Sequence, residues 1–454
     1  MTMNNQIRLL CSLLTSMLLS ISLFGKGWEA GVAHVVITPQ EPMWMAGYAA
    51  RTKPAEGKQH DLRAKAIVLK DSSDHVVVML SSDLLGFTRA LSASIRSTLH
   101  ARYGLPDADI LFNSSHTHSG PVLSGALTDI YPLDEKEQEK IDRYTAWLEA
   151  RIVEVIDRAF KNMEPVTLYS GIGVTRFQVN RRNNPADEIF RAAELKGPSD
   201  HSVPVIKVTD RKGKVKALLF GYACHPTTLD GYEWSGDFAG YAQIVLEKNH
   251  PGAQALFFQG ACGDQNPLPR RTVALARQYG KELAAAVECV LEDNRMKELE
   301  PVLKTAYEEI MLPLSPVPSV ADLQEVIRKD EGKTYFSRWA HRLIRQLEDG
   351  NPLPTAYPYP VQLWKLGDQL LFSLAGEVLV DYSINLKNRY GWDAMVLGYN
   401  NDVMGYIPPV RVLEEGGYEG ETSQRVYGLP SKWDPAIEAL IHDGCDRLVQ
   451  KVSE

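Results

Sequence analysis

The chain has 454 residues, of which 44% are hydrophobic and 23% are charged, and its formal net charge at pH 7 is −8. These proportions are typical of a globular protein with a large buried core. The acidic balance, with no long basic run to reverse it, argues against a nucleic-acid partner.

The N-terminal residues have the pattern of a targeting segment. Arg8 precedes an apolar stretch over 9–24 that is short and diluted by Ser and Thr, which favours a signal peptide over a membrane span. We therefore predict a signal peptide over 1–26, export to the periplasm or the medium, and no transmembrane span in the mature chain; an uncleaved anchor is the alternative. Outside the predicted signal peptide the chain has four cysteines: Cys224, Cys262, Cys289 and Cys445. They are too few for a disulfide scaffold, although one bridge is possible.

Strand-like and helix-like segments alternate from residue 27 to about residue 312. Apolar and β-branched runs predict strands over 64–69, 76–80, 110–113, 205–208, 215–222 and 255–259. Helical spacing of apolar residues predicts helices over 89–103, 138–162 and 280–291. This alternation predicts an α/β (mixed α+β) fold in which mixed sheets are flanked by helices.

Residues 313–360 depart from this pattern and are predicted to be an insertion. Prolines flank the segment on both sides, and helical spacing between them predicts one helix over 320–347 with a partly basic face. We favour a solvated helix over a substrate-binding lid. Strands resume over 361–374, and a last helix-like segment covers 435–451.

Polar residues of metal-binding types follow several predicted strands. His116 and His118 follow the strand over 110–113, and His225 follows the strand over 215–222. Glu377 follows a further apolar run. Alternate side chains of an extended segment share a face, so the two motif histidines can point the same way. A catalytic zinc site needs three or four nitrogen or oxygen ligands and one open position, but each of these residues alone is more often a hydrogen-bonded loop residue.

Several motifs, in one order along the chain, resemble those of the neutral (non-lysosomal) ceramidases, specifically their N-terminal catalytic domain. The most specific is the run His-Thr-His-Ser-Gly-Pro over 116–121. The other matching segments are 31–39, 46–49, 60–66, 82–84, 180–181, 225–227, 235–242 and 376–377, followed by Tyr406 and Tyr418. The resemblance covers nearly the whole mature chain and implies one ceramidase-like catalytic domain over 27–454, with the insertion at about 313–360.

The resemblance also implies a set of site residues. The family binds zinc through a histidine of the His-Thr-His motif, a histidine before Pro-Thr, a glutamate and a tyrosine, and the matching residues here are His116, His225, Glu377 and Tyr406. His118 resembles the neighbouring histidine that faces the substrate, where it would move protons near neutral pH. Tyr418 resembles a second active-site tyrosine, and Arg181 belongs to an Asn-Arg pair near the zinc pocket.

The chain departs from the family at the motif Gly-Asp-x-Ser-Pro-Asn, whose serine is usually assigned a catalytic role. In the matching stretch over 260–267, Asn266 takes the place of that serine. An amide is not an oxygen nucleophile, but it can donate hydrogen bonds to a carbonyl or hold a water. We therefore favour attack by zinc-activated water, with Asn266 and Asp264 as further candidate catalytic residues, over loss of activity. A small buried cysteine is favoured over a replacement nucleophile at Cys262.

These observations predict an exported, zinc-dependent hydrolase of an amide (N-acyl) or ester bond. We expect no C-terminal immunoglobulin-like domain of the kind that neutral ceramidases carry, which favours a smaller acyl substrate, although a lipid or glycan acyl compound is also possible. The alternative is a non-catalytic zinc-containing envelope or glycan-binding protein derived from the same fold. A third alternative is a lactonase or a phosphoesterase, but a single zinc with a tyrosine ligand suits carbonyl substrates better than phosphates.

Overall fold

The structure is a computed structural model that describes residues 27–293 and 295–453. The predicted signal peptide over 1–26 lies outside these residues. The described strands are β1 (Trp28–Val36), β2 (Gly57–Lys58), β3 (Arg63–Lys70), β4 (Val76–Ser82), β5 (Ile110–Ser114), β6 (Glu164–Val174), β7 (Gln178–Asn180), β8 (Ser202–Asp210), β9 (Val215–Tyr222), β10 (Glu233–Trp234), β11 (Gln254–Gln259), β12 (Gln265–Pro267), β13 (Lys297–Glu298), β14 (Leu303–Pro313), β15 (Ala356–Leu366), β16 (Gln369–Leu374), β17 (Glu377–Val378), β18 (Met395–Leu397) and β19 (Tyr406–Ile407). The described helices are α1 (Arg89–Tyr103), α2 (Glu135–Lys161), α3 (Asp237–Asn249), α4 (Val273–Glu292), α5 (Val320–Asp330), α6 (Tyr335–Glu348), α7 (Val380–Tyr390), α8 (Val410–Glu415), α9 (Gly417–Gly420) and α10 (Ile437–Ser453). None of these described helices combines the length and apolar character needed to cross a bilayer.

The larger sheet has nine strands in the spatial order β11-β9-β8-β6-β1-β3-β4-β5, with β13 beside β6. The pairs β4–β5 and β9–β11 are parallel, and the other neighbours are antiparallel. Successive side chains of β3 point to opposite faces: Ala64, Ala66 and Val68 pack under α1 and α2. Ile67 and Leu69 pack on the second sheet. Burial of both faces explains why the inner strands are continuous apolar runs.

The smaller sheet has four strands in the order β14-β15-β16-β18. One face, with Trp364 and Leu371, packs on the larger sheet. The other face, with Val361 and Phe372, packs under α7 and α10. The molecule is therefore a stack of helices, sheet, sheet and helices, which confirms the predicted mixed α/β fold.

Helix boundaries follow capping residues in the sequence. The helix predicted over 89–103 has these bounds as α1, which begins after Thr88 and ends at Gly104 with a left-handed φ of 68°. The longer helix α2 packs closely on β1 because Gly31 has no side chain. A Cβ at this position would lie 2.0 Å from the carbonyl oxygen of Ala159.

The segment predicted as an insertion contains two helices, α5 and α6, so the prediction of one helix over 320–347 is wrong. Glu331 and Gly332 have left-handed φ values of 52° and 70° and end α5. Thr334 then caps α6 through its side chain. One glycine inside a helical pattern is a weak sign of a break, which is why apolar spacing alone predicted a continuous helix.

The basic side chains of this segment divide between solvent and protein. On α5, Arg328 pairs with Glu325 at the surface. On α6, Arg342 makes a bidentate pair with Asp129, at 3.0 and 2.7 Å, and donates to the carbonyl oxygen of Gly428 at 2.8 Å. The prediction of a solvated basic face is therefore correct for α5. It is wrong for α6, where Arg342 binds residues outside this segment.

Candidate metal centre

Strand ends bring the predicted metal-binding residues together. His116 lies two residues beyond β5, and His225 lies three residues beyond β9. Glu377 begins β17, three residues after β16 ends. The short ladder of β17 and β19 pairs Glu377 with Tyr406. All four residues are buried. His116, His225 and Glu377 follow the carboxyl ends of β5, β9 and β16, where sites in α/β proteins usually lie, whereas Tyr406 begins β19.

The backbone at His116 turns the two motif histidines toward each other. β5 ends at Ser114, and His116 has a left-handed φ of 61°. The alternation of side chains along a strand therefore does not extend to His118, contrary to the argument from an extended segment. The turn instead places Nε2 of His118 at 3.3 Å from Nε2 of His116.

Two of the histidines direct a ring nitrogen at one carboxylate. Oε2 of Glu377 lies 3.3 Å from Nε2 of His116 and 3.0 Å from Nε2 of His225. Nδ1 of His116 lies 2.6 Å from the carbonyl oxygen of Leu85. Nδ1 of His225 lies 2.7 Å from the carbonyl oxygen of Cys262. Because a carbonyl accepts hydrogen bonds, each Nδ1 carries a hydrogen, and each Nε2 faces the carboxylate.

Burial and neighbouring charge set the protonation of these donors. Burial lowers the pKa of His225 to about 4, so its imidazole is neutral near pH 7. Burial would raise the pKa of Glu377, but His116 and His225 hold it well below its usual range, so the carboxylate is ionised. Two imidazole nitrogens and an ionised carboxylate thus converge. A divalent cation fits this group, since Zn²⁺ binds neutral imidazole nitrogens and carboxylate oxygens.

Two further predicted residues adjoin these donors. Ring nitrogens of His116, His118 and His225 lie within 4.8 Å of one another. Burial lowers the pKa of His118 well below its usual value, and its Nδ1 has no hydrogen-bond partner among the described residues. Tyr406 stacks on His225 with ring centroids 6.4 Å apart, and its Oη accepts a hydrogen bond from Arg181 at 3.1 Å. Both a His-His-Glu set and a three-histidine set of donors are therefore available.

Two tyrosines that the sequence analysis did not single out contact Glu377. Tyr427 donates a hydrogen bond to Oε1 of Glu377, and Tyr399 Oη donates to Oε2 at 3.4 Å. Such outer hydrogen bonds orient a ligating carboxylate. Tyr399 comes two residues after β18, so a wider search for polar residues behind buried strands would have found it. Tyr427 follows no strand and carries no comparable signal.

Cys262, the residue considered as a replacement nucleophile, lies behind the metal-binding residues. Its Sγ donates to Tyr399 Oη at 3.2 Å. Burial raises the pKa of the Cys262 thiol well above its usual range. A protonated thiol without access to solvent is a poor nucleophile, which supports the interpretation as a small buried cysteine.

The two candidate residues of the 260–267 stretch have different surroundings. Asp264 is buried, and its carboxylate accepts from Asn180 Nδ2 at 2.6 Å and from the backbone N–H of Val380 at 3.1 Å. It thereby joins β7 to the start of α7. Asn266 lines a surface cavity, and its Oδ1 accepts from Thr227 Oγ1 at 3.3 Å. Its amide nitrogen has no side-chain or backbone acceptor in the described part of the chain, so it is free to donate into the cavity.

This cavity has a volume of ≈ 450 Å³, and its lining includes Arg181, Asn266, Arg270, Tyr418 and Glu419. Arg181 Nε donates to Glu419 Oε1 at 2.7 Å, and the guanidinium lies 5.7 Å from the ring centroid of Tyr418. The same guanidinium donates to Tyr406. Arg181 therefore connects the cavity to the candidate metal-binding residues, and Glu419, which the sequence did not indicate, holds it in place.

Comparison with known proteins gives one consistent family. A family model described as neutral/alkaline non-lysosomal ceramidase, N-terminal, matches residues 28–275. Neutral ceramidase B of Dictyostelium discoideum is 28% identical over 249 residues, which are 50% of this chain and 33% of that protein. Neutral ceramidase 2 of Arabidopsis thaliana is 24% identical over 265 residues, which are 55% of this chain and 33% of that protein. The matched region thus spans about a third of the length of these curated relatives.

Solved structures extend the likeness of fold along the chain. The crystal structure of the neutral ceramidase from Pseudomonas aeruginosa matches with a TM-score of 0.72 at 19% identity, and the match covers 93% of this chain and 74% of that chain. A structure of a ceramidase complexed with C2 matches with a TM-score of 0.71 at 20% identity and covers 93% of this chain and 76% of that chain. The shared fold therefore extends beyond residue 275, where the match to the family model ends.

Proposed function

Because the chain belongs to the neutral/alkaline non-lysosomal ceramidase family, we propose that it is a zinc-dependent hydrolase of the amide bond of a ceramide-like N-acyl compound, or of a related ester. The donors would be His116, His225 and Glu377, with Tyr406 as a fourth ligand. We also propose, from the pattern of residues 1–26, that the protein is exported, and that residues 27–454 make up one catalytic domain.

One observation carries the zinc proposal. Nε2 of His116 and Nε2 of His225 face the ionised carboxylate of Glu377, at 3.3 and 3.0 Å, and backbone carbonyls behind both rings fix that orientation. A divalent cation would displace any proton held between these groups and be bound by all three. When bound, zinc would supply Lewis acidity toward a carbonyl and lower the pKa of a water to about 7.

The chain's own residues have distinct roles in this proposal. Asn266 donates a hydrogen bond from its amide nitrogen to the substrate carbonyl, where negative charge develops during attack. His118 accepts and returns the proton, because its neutral imidazole lies beside the donors with Nδ1 unpartnered. Arg181 keeps the phenol of Tyr406 in position through the hydrogen bond at 3.1 Å.

Metal analysis and an acyl-hydrolysis panel on one preparation test the function. We expect about one zinc per chain in protein purified without chelator, and hydrolysis of N-acyl or O-acyl substrates that stops with a chelator and returns with zinc. Protein that binds no metal would contradict the proposal. Bound zinc without turnover of any acyl substrate would support the alternative, a non-catalytic zinc-containing binding protein, which the Asn266 replacement motivates.

Substitution of His118 separates a proton carrier from a ligand. We expect His118→Ala to lower kcat by about 10² to 10⁴-fold, the usual contribution of a general base, while zinc content stays at the wild-type level. His250→Ala is the control, since His250 pairs with Glu288 at 2.9 Å on the far end of α3. If His118→Ala loses zinc as completely as activity, His118 is a ligand and the proton role is wrong.

A further inference from the structure

Arg270 carries a positive charge for which the described residues supply no partner. It lines the same cavity as Asn266 and Tyr418 and is half-buried. No described carboxylate lies within ion-pair distance of it, and no described group accepts a hydrogen bond from its side chain. The other two arginines of the cavity are both paired: Arg181 with Glu419 at 2.7 Å, and Arg182 with Glu419 at 2.7 Å.

Two further arginines lie around Tyr48, close to Arg270. The ring of Tyr48 lies 4.7 Å from that of His118, and the guanidinium groups of Arg51 and Arg271 lie 4.9 and 5.2 Å from the ring of Tyr48. Arg51 donates to backbone carbonyl oxygens. Arg271 pairs with the carboxylate of Asp230 at 3.3 Å.

Two of these three arginines lack an ion-pair partner. Among the described residues, Asp230 pairs with Arg271, and neither Arg51 nor Arg270 has a carboxylate within ion-pair distance. Burial and the positive charge of Arg271 lower the pKa of Arg270, as expected for a guanidinium that lacks an anion. A half-buried charge without a partner is costly, and a guanidinium matches the geometry of a carboxylate or phosphate with two hydrogen bonds.

We propose that the substrate of this site is an N-acyl compound that carries an oxyanion, such as a carboxylate, and that Arg270 binds this group at the mouth of the cavity. The inference rests on the proposed function and narrows its substrate class. A neutral ceramide has no anionic group that Arg270 could bind, whereas an acylated amino acid or an acyl compound with a phosphorus oxyanion has one. Arg270 is thus a specificity-determining residue.

Matched substrates test this inference. We would compare kcat/KM of the zinc-loaded protein for N-dodecanoylglycine, for its uncharged counterpart N-dodecanoylglycinamide, and for N-dodecanoylaminomethylphosphonate. We expect about a 10- to 100-fold preference for an anionic substrate, the range of a hydrogen bond to a charged group. Arg270→Gln should remove this preference by lowering kcat/KM for the anionic substrates more than kcat/KM for the glycinamide. Arg277→Gln, an exposed arginine seven residues further along the chain, is the control.

Calorimetric titration of N-dodecanoylglycine into metal-free protein provides a readout that does not need turnover. We expect weaker binding to Arg270→Gln than to the wild type and to Arg277→Gln. Equal cleavage of charged and uncharged substrates, or an equal effect of Arg270→Gln on both, would overturn the inference. A preference for the phosphonate over the glycine compound would support it and identify the oxyanion as a phosphate-type group. Arg270-dependent binding without hydrolysis of any substrate would contradict the proposed hydrolase and leave the anion site standing.

Discussion

His225→Ala is expected to abolish zinc binding and to lower kcat/KM for an N-acyl substrate by about a thousandfold or more, since a lost Lewis acid costs several kcal/mol of transition-state stabilisation. His225 is fully buried and directs its Nε2 at Glu377 from 3.0 Å. Its removal leaves His116 and Glu377 with only the phenol of Tyr406, which is not among the usual zinc ligands. Zinc content by mass spectrometry and steady-state kinetics on the same samples measure the effect.

A second substitution and a control keep this result interpretable. His225→Gln preserves most of the side-chain volume, so a loss of zinc in both variants cannot come from a cavity alone. His250→Ala removes a histidine from a half-exposed pair with Glu288 and should retain zinc and activity. Circular dichroism checks that each variant is folded. A folded His225→Ala that keeps its zinc and its turnover would show that the donors are assigned wrongly.

Glu419→Gln is expected to lower the free energy of unfolding by about 3 kcal/mol or more, because removing one member of a buried charge network leaves the others uncompensated. Glu419 is 4% exposed and accepts hydrogen bonds from both Arg181 and Arg182, each at 2.7 Å. We also expect kcat to fall, because Arg181 would no longer be held against Tyr406. Denaturant unfolding and kinetics measure the two effects.

A double variant separates stability from function at this network. In Glu419→Gln with Arg181→Met, the charge of Arg182 retains its pair with Glu415 at 2.9 Å, so much of the stability should return while the activity stays low. Glu309→Gln, in the exposed pair with Arg89, is the control and should cost at most about 1 kcal/mol. If Glu419→Gln lowers the free energy of unfolding no more than Glu309→Gln does, the network has no structural role.

The sequence predicted the elements of the fold better than their arrangement. Apolar spacing and caps predicted the helix over 89–103 with its observed bounds, because both signals are local. The stacking of two sheets was not predictable in this way, since the inner strands are apolar on both faces and such runs do not reveal their partners. The break at Glu331 was missed because glutamate is a good helix former and gave no sign of a left-handed turn.

The candidate site was predictable where a motif carried it. His116, His118, His225 and Glu377 lie together, as expected for residues that follow strands, and Tyr406, which the family resemblance alone indicated, lies beside them. The residues that support them were not predictable from one sequence. Tyr427 contacts Glu377 across 50 positions, and Glu419 contacts Arg181 across 238. Such contacts depend on sheet register and loop paths, which have no local signature.

The left-handed backbone at His116 restricts how this position can change during evolution. Histidine, asparagine and aspartate adopt such a conformation more readily than other residues with a Cβ, and glycine adopts it without strain. A lineage that no longer needed the imidazole would therefore drift toward glycine or asparagine here and would seldom accept valine or alanine. His225, whose φ is not left-handed, is free of that restriction. If a metal shared by both histidines were lost, the residues accepted at position 116 would therefore differ from those accepted at position 225.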